Sequence, residues 1–447
     1  MEAEIMGIKC LIIAAGNGSR LLQKGESKPL IPILGIPLIE RVIRSAMEAG
    51  TDEFYVVVGW QGDRVRDFLE QLAERLSIRI TPLVNEDWKK DNGLSMLKAR
   101  DFLQDPFLLL MADHLFDPEL VRALMIHSLP DGEVALVVDS NINNPLIDIN
   151  DVTRVKVKNG KICNIGKRMT DFNGFDTGIF LCSPAVFDVL EQNRDKDGDT
   201  TLSGAIRVLA EKGRAKAISS NSFWIDVDDP PAFKRAENAL LDRLRDKPTD
   251  GPVSRYLNRP LSVMFSRHLV KLNITPNQIS MFSFLCSLVA AGLFVAGGYI
   301  FLLIGGVLAQ FASIIDGCDG EVARLKYQKS NFGGWFDAVL DRYADAFLLI
   351  GLTWHLLAME MNSWVLFIGF MAIIGSFMLS YTADKYDNLM RSRIKNGGGA
   401  GLRMGRDVRV FLIFLGAATN MVLPVLIIIA IVMNVETMRR VRVAYVN

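Results

Sequence analysis

Residues 316–341 read DGCDGEVARLKYQKSNFGGWFDAVLD, which puts Asp316, Asp319, Asp337 and Asp341 in a segment otherwise apolar enough for membrane helix. An ionised aspartate at bilayer depth costs roughly 3 kcal/mol on insertion scales, so such a residue faces a partner and not lipid. On a helix Asp316 and Asp319 share a face with Gly320 and Ala323. On the next helix Gly333, Asp337 and Asp341 recur at i, i+4 and i+8. Two acidic faces can thus converge on a divalent metal. Ion pairing with Arg324 and Arg342 is the alternative, and two guanidiniums compensate fewer charges than four carboxylates carry.

Outward from this stretch, the segments 272–323, 343–384 and 410–438 contain no Lys or Arg. The first two are each long enough for two spans of about 20 residues, with breaks at Gly297-Gly298 and at 360–363. The third becomes a pair if its first helix begins near Gly401 and its last runs to Arg440, with a turn over 420–424. Six spans result. Basic residues then fall on one side only (Arg324, Lys326 and Lys329, then 385–409, then Arg439, Arg440 and Arg442), which predicts that both termini and the aspartates face the cytosol. The loop 385–409 holds seven Lys and Arg. Ahead of the first span, Leu257, Leu261, Met264, Phe265 and Leu269 oppose Arg255, Arg259, Arg267 and Lys271, the pattern of an interfacial helix.

Upstream of about Asp250 the character changes to apolar strand-like runs alternating with charged helical stretches, so a soluble domain precedes a membrane domain. The 50 basic and 50 acidic residues of the 447-residue chain balance, which argues against a nucleic-acid partner. Five cysteines form no CxxC pair. The N-terminal apolar run is short and leads straight into a glycine loop, which predicts no secretory leader and a cytosolic first domain. In CLIIAAGNGSRL, residues 10–21, a buried strand runs into that loop, a pattern shared by many α/β folds including dinucleotide binders. KPL follows at 28–30, LLLMADH ends a later strand at 108–114, and WIDVDDP stands at 224–230.

The 316–341 string fills every position of D-x2-D-G-x2-A-R-x8-G-x3-D-x3-D and resembles the CDP-alcohol phosphotransferase family. The resemblance implies a six-helix enzyme, a homodimer, that binds CDP and divalent metal on its cytosolic side. Asp316, Asp319, Asp337 and Asp341 would hold metal, with Asp341 also the base for an acceptor hydroxyl. Gly320 and Ala323 would admit the nucleotide, and Arg324 would pair with phosphate or carboxylate. Arg406 and Arg409 would grip an acceptor phosphate. Residues 8–238 resemble the sugar-phosphate nucleotidyltransferases. There Gly16, Gly18 and Arg20 would cradle the triphosphate and Lys28 would pair with nucleotide phosphate. Asp113 and Asp226 would hold metal, Asn92 and Gly93 in DNGLSM would lie at base and ribose, and Lys167 and Asp176 at the phosphate substrate.

The expected organisation is an N-terminal α/β, Rossmann-like nucleotidyltransferase domain over 1–240, a linker over 241–252 and a C-terminal all-α six-transmembrane-helix domain over 253–447. A half that consumes a CDP-alcohol selects CTP for the half that makes one. The whole resembles the bifunctional inositol-1-phosphate cytidylyltransferase/di-myo-inositol-phosphate-phosphate synthase family, which implies the partners CTP, inositol 1-phosphate and CDP-inositol, Mg2+ or Mn2+ at both sites, and a multi-pass place in the cell membrane. That family's product becomes a compatible solute after dephosphorylation. Activation of another polyol phosphate, coupled to head-group transfer onto a lipid alcohol, is the alternative that uses the same motifs.

Overall fold

The computed structural model describes residues 7–21, 23–245, 250–389 and 405–446, in two compact units, Met1–Ala239 and Leu240–Asn447. The first is built on a nine-stranded sheet. Its strands lie in the order Arg79–Val84, Glu53–Val58, Cys10–Ala14, Phe107–Met111, Gly174–Cys182, Val134–Asp139, Ala215–Ser220, Lys161–Gly166, Arg154–Lys158. The first four run parallel, whereas Gly174–Cys182 is antiparallel to both its main neighbours. Phe107, Leu108, Leu109 and Leu110 are all fully buried, two on each face, because helices cover both sides of this central strand. Each such side chain stabilises the fold by about 2 kcal/mol.

Cys10–Ala14 and Phe107–Met111 are adjacent parallel strands, so the glycine loop after one and Asp113 after the other emerge at the same sheet edge. Such an edge is where open α/β sheets bind ligands. Asp226 is brought there by a short antiparallel pairing of Trp224–Asp226 with His114–Phe116. The sequence anticipated an α/β first domain, and this is its topology.

In the second unit a π-turn at Ser254–Asn258 leads into a helix at Arg259–Leu269, followed by six longer elements: Pro276–Ala296, Tyr299–Leu325, Asn331–Met359, Ser363–Leu389, Arg406–Ala418 and Val422–Val446. Gly297 and Gly298 carry the first break, both at positive φ (79° and 77°). Thr275 opens the first of the six with a capping box to Gln278. Ser330 caps the third by accepting from the Gly333 amide at 2.9 Å, which fixes the register of every acidic residue beyond it.

Four of these helices are long and apolar enough to cross a membrane, at 276–296, 299–325, 363–382 and 422–443. The expectation of six spans thus exceeds what length and composition support among the described residues. Asn331–Met359 is interrupted by Asp337, Asp341, Arg342 and Asp345, and Arg406–Ala418 has 13 residues. Most of the basic loop 385–409 lies outside the described residues, as does 246–249 of the expected linker.

The leading helix buries polar and apolar side chains together. Asn258, Arg259, Ser262 and Ser266 are buried against the unit beside Val263, and Phe265 and Leu269 pack on its apolar cluster, while Tyr256, Leu257 and Met264 are exposed. Arg259, expected on a charged outer face, instead donates to Asp250 at 2.8 Å and to Glu321 at 2.6 Å.

Candidate active sites

In the first unit, Gly16, Gly18, Arg20, Lys28, Asp113 and Asp228 line one cavity. Gly18 sits at φ +57°, and a Cβ there would stand 2.4 Å from Lys28 Cβ, so only glycine lets the lysine stem cross the loop. Lys28 Nζ donates to Asp113 and Asp228. Burial opposes the lysine's charge, but Asp113, Asp228 and Asp226 outweigh it and raise its pKa. Arg20 donates to Asp228 and to Asp151, both at 2.5 Å, and the other Asp151 oxygen accepts from Lys167 at 2.7 Å. One carboxylate therefore links the cation of the glycine loop to the cation expected at the second substrate.

An adjoining cavity shares Asp113 and Asp228 and adds Asn92, His114, Asp151, Lys167, Asp176 and Asp226. Burial pushes Asp176 up to about 6 and Asp226 up to about 7, with His114 opposing the latter and Asp113 adding to it. Asp113, His114 and Asp226 bring ligand atoms within 4.8 Å of one another. Asp226 Oδ1 is buried with no hydrogen-bond partner among the described residues. Gly93 does not line either cavity. Its amide donates to the Thr200 carbonyl at 3.0 Å and a Cβ would lie 2.3 Å from that oxygen, so it serves helix packing.

In the second unit Asp316, Asp319, Asp337 and Asp341 all line a single cavity, as the spacing predicted. Asp316, Asp337 and Asp341 offer oxygens within 4.8 Å of one another, and Asp337 Oδ1 is buried without a hydrogen-bond partner among the described residues. Hydroxyls from the preceding helix hold two of them: Ser280 donates to Asp319 at 2.5 Å and Ser283 to Asp316 at 3.2 Å. Three carboxylates in the second unit, and two carboxylates beside the His114 imidazole in the first, each with an orphaned buried carboxylate oxygen among the described residues, fit a divalent cation.

Arg406 Nη1 lies between Asp316 and Asp341, 2.7 Å from each. The guanidinium that meets the aspartates is thus neither Arg324 nor Arg342. Arg324 lines the same cavity beside Gly320, whose Cβ would stand 3.4 Å from its Nη1. Ala323 is buried and outside the lining, and Arg409 lies deeper, its guanidinium on Asp345. The rest of the wall is Asp250, Ser254, Asn258, Arg259, Ser262, Ser313, Gly317 and Asp407. Among the described residues, none that lines this cavity carries an apolar side chain, although the surrounding helices are mostly apolar.

Several of these residues escaped the sequence pattern. Asp345 extends the i, i+4 series of Asp337 and Asp341 and was legible there. Asp228 lies two residues past Asp226. Asp151 and Asp250 carry no local signal and reach their sites only through the tertiary fold.

Two family models match the chain: a MobA-like NTP transferase domain over residues 10–161 and CDP-alcohol phosphatidyltransferase over residues 273–443. A protein of Rubrobacter xylanophilus named bifunctional IPC transferase and DIPP synthase is 35% identical, over 97% of this chain and 96% of its own. One of the same name from Thermococcus kodakarensis is 32% identical, over 91% of this chain and 89% of its own. The solved inositol-1-phosphate CTP transferase from T. maritima aligns with 51% of this chain and 94% of its own at a TM-score of 0.45 and 22% identity.

Proposed function

The chain belongs to the family of bifunctional IPC transferases and DIPP synthases, and from that premise we propose that it makes CDP-inositol in its first unit and consumes it in its second. In the first step an oxygen of inositol 1-phosphate attacks the α-phosphorus of CTP and pyrophosphate leaves. No general base is needed, because a phosphomonoester with a second pKa near about 6 is already largely dianionic at neutral pH. The Gly16–Gly18 backbone, Arg20 and Lys28 hold the triphosphate and offset its charge, while Lys167 receives the incoming phosphate.

In the second step a hydroxyl of another inositol 1-phosphate attacks the β-phosphorus of CDP-inositol. The bond to CMP breaks, and phosphorylated di-myo-inositol phosphate forms. Asp341 accepts the hydroxyl proton at its carboxylate. Arg324 meets the diphosphate, and Arg406 the acceptor's own phosphate. A divalent cation, Mg2+ or Mn2+, bound at Asp113 and Asp226 in one unit and at the four aspartates in the other, would supply charge neutralisation for the reacting phosphates.

The observation that carries the choice of acceptor is the polar character of every described residue that lines the second cavity. Inositol phosphate presents hydroxyls and charge to such a wall, whereas a diacylglycerol-type alcohol brings acyl chains that need apolar contact. We place the second unit in the cell membrane as a multi-pass domain, a homodimer, with its aspartates and both termini on the cytosolic side, following the basic flanks at 324–329 and 439–442. Incubating the membrane-embedded protein with CTP, Mg2+ and inositol 1-phosphate and following phosphorus-31 resonances tests the scheme. The expected course is pyrophosphate and CDP-inositol, then CMP and a phosphodiester in the aqueous phase. Label entering the organic phase would overturn it.

A further inference from the structure

The helix that carries Asp337 and Asp341 presents a third carboxylate one turn on, at Asp345. Asp345 is 3% exposed and lies outside the cavity wall, so it touches no substrate. Its carboxylate accepts from Arg409 Nη2, from Arg406 Nε at 3.3 Å and from Ser376 Oγ at 3.4 Å. Arg406 is therefore held at its base by Asp345, while its Nη1 tip projects into the cavity between Asp316 and Asp341. A guanidinium has a rigid planar fork, so fixing Nε fixes the direction of both Nη groups.

We infer that Asp345 is the positioning residue for Arg406, aiming its guanidinium into the cavity where the acceptor's phosphate is received. Three surrounding carboxylates compete for one guanidinium. The anchor decides which atoms remain free for a ligand. Arg409 completes the arrangement from beneath, since it neutralises the half of Asp345 that Arg406 does not use, and it is itself buried to 2% exposure. This inference rests on the assignment of Arg406 to the acceptor phosphate made above.

The test uses the full-length protein in detergent, supplied with CDP-inositol, Mg2+ and inositol 1-phosphate but no CTP, so that only the second unit turns over. Asp345→Asn is expected to raise the KM for inositol 1-phosphate about tenfold while moving the KM for CDP-inositol less than about twofold, because only the acceptor's ligand loses its aim. Asp345→Glu should recover part of that rise. Adding Asp345→Asn to Arg406→Lys should cost nothing beyond Arg406→Lys alone, the non-additivity of residues that act as one device.

A folded Asp345→Asn protein with an unchanged acceptor KM, or with both KM values moved equally, overturns the inference. Should Asp345→Asn fail to fold, the double variant Asp345→Asn/Arg409→Gln removes the stranded buried charge and is read against the same two outcomes. Arg406→Lys separates the two levels. If it leaves the acceptor KM unchanged, the assignment of Arg406 fails. If it raises that KM and Asp345→Asn does not, Asp345 alone is excluded.

Discussion

Arg406 Nη1 stands 2.7 Å from Asp341 Oδ1. A residue from the start of the fifth long helix thus meets one oxygen of the proposed base on the third. In the proposed second step, the group assigned to proton removal and the group assigned to phosphate recognition meet at this contact.

Asp341→Ala is expected to abolish release of CMP from supplied CDP-inositol, a loss of at least about 10²-fold for a missing general base. CDP-inositol formation from CTP should persist at its original rate. Separate assays of pyrophosphate and CMP release in one preparation check both, and loss of both activities in a folded protein would refute independent sites.

The converse holds for Asp113→Ala. This change leaves Lys28 with Asp228 as its remaining carboxylate and removes one of the two proposed metal-binding aspartates of the first unit. Pyrophosphate release should fall by at least about 10²-fold, the scale of losing one preorganised electrostatic partner. Turnover of supplied CDP-inositol should be untouched.

How much of this was legible beforehand follows from where each residue's signal resides. Lys28, Asp113 and Asp226 were singled out by the resemblance to the sugar-phosphate nucleotidyltransferases, and the four aspartates of 316–341 because helical spacing aligns them. Asp151 sits among turns between Asp139 and Arg154, where no periodicity operates, and only the tertiary fold brings it to Arg20 and Lys167. Arg259 was placed on the wrong face for a physical reason. Its partners Asp250 and Glu321 lie outside the helix, so no local pattern marks that guanidinium for burial.

Gly18→Ala probes the loop without touching a charge. The new methyl would meet Lys28 Cβ at 2.4 Å in a backbone conformation that already disfavours it. Left-handed strain alone costs about 1 kcal/mol or more, and relief by moving Lys28 would raise the KM for CTP. A KM for CTP equal to that of the unaltered protein, with the thermal midpoint unchanged, would show that the loop relaxes freely.

Asp151 gives a pH dependence with a definite sign. Hydrogen bonds from Lys167 and Arg20 hold its carboxyl down to about 2, below the ordinary 3.8. In the interval between those values the unfolded chain binds more protons than the folded one, so stability rises with pH there. The contribution is complete above about pH 4 and disappears as pH falls through about 2. Thermal unfolding of the protein and of Asp151→Asn should therefore differ near neutral pH and converge on acidification. A constant offset across the range would contradict this.

Chelation separates the cation from the residues around it. With EDTA in excess both product-forming steps should stop, and Mg2+ should restore them in a saturable manner; either step continuing in chelator would remove the cation from that site's chemistry.

Asp250, gripped by Arg259, forms part of the wall of the cavity in the second unit although it precedes the turn at Ser254–Asn258. Anyone re-joining this transferase to a different activating enzyme must splice upstream of it. A seam placed at the first turn of helix would look natural on a domain map and would delete a piece of that wall.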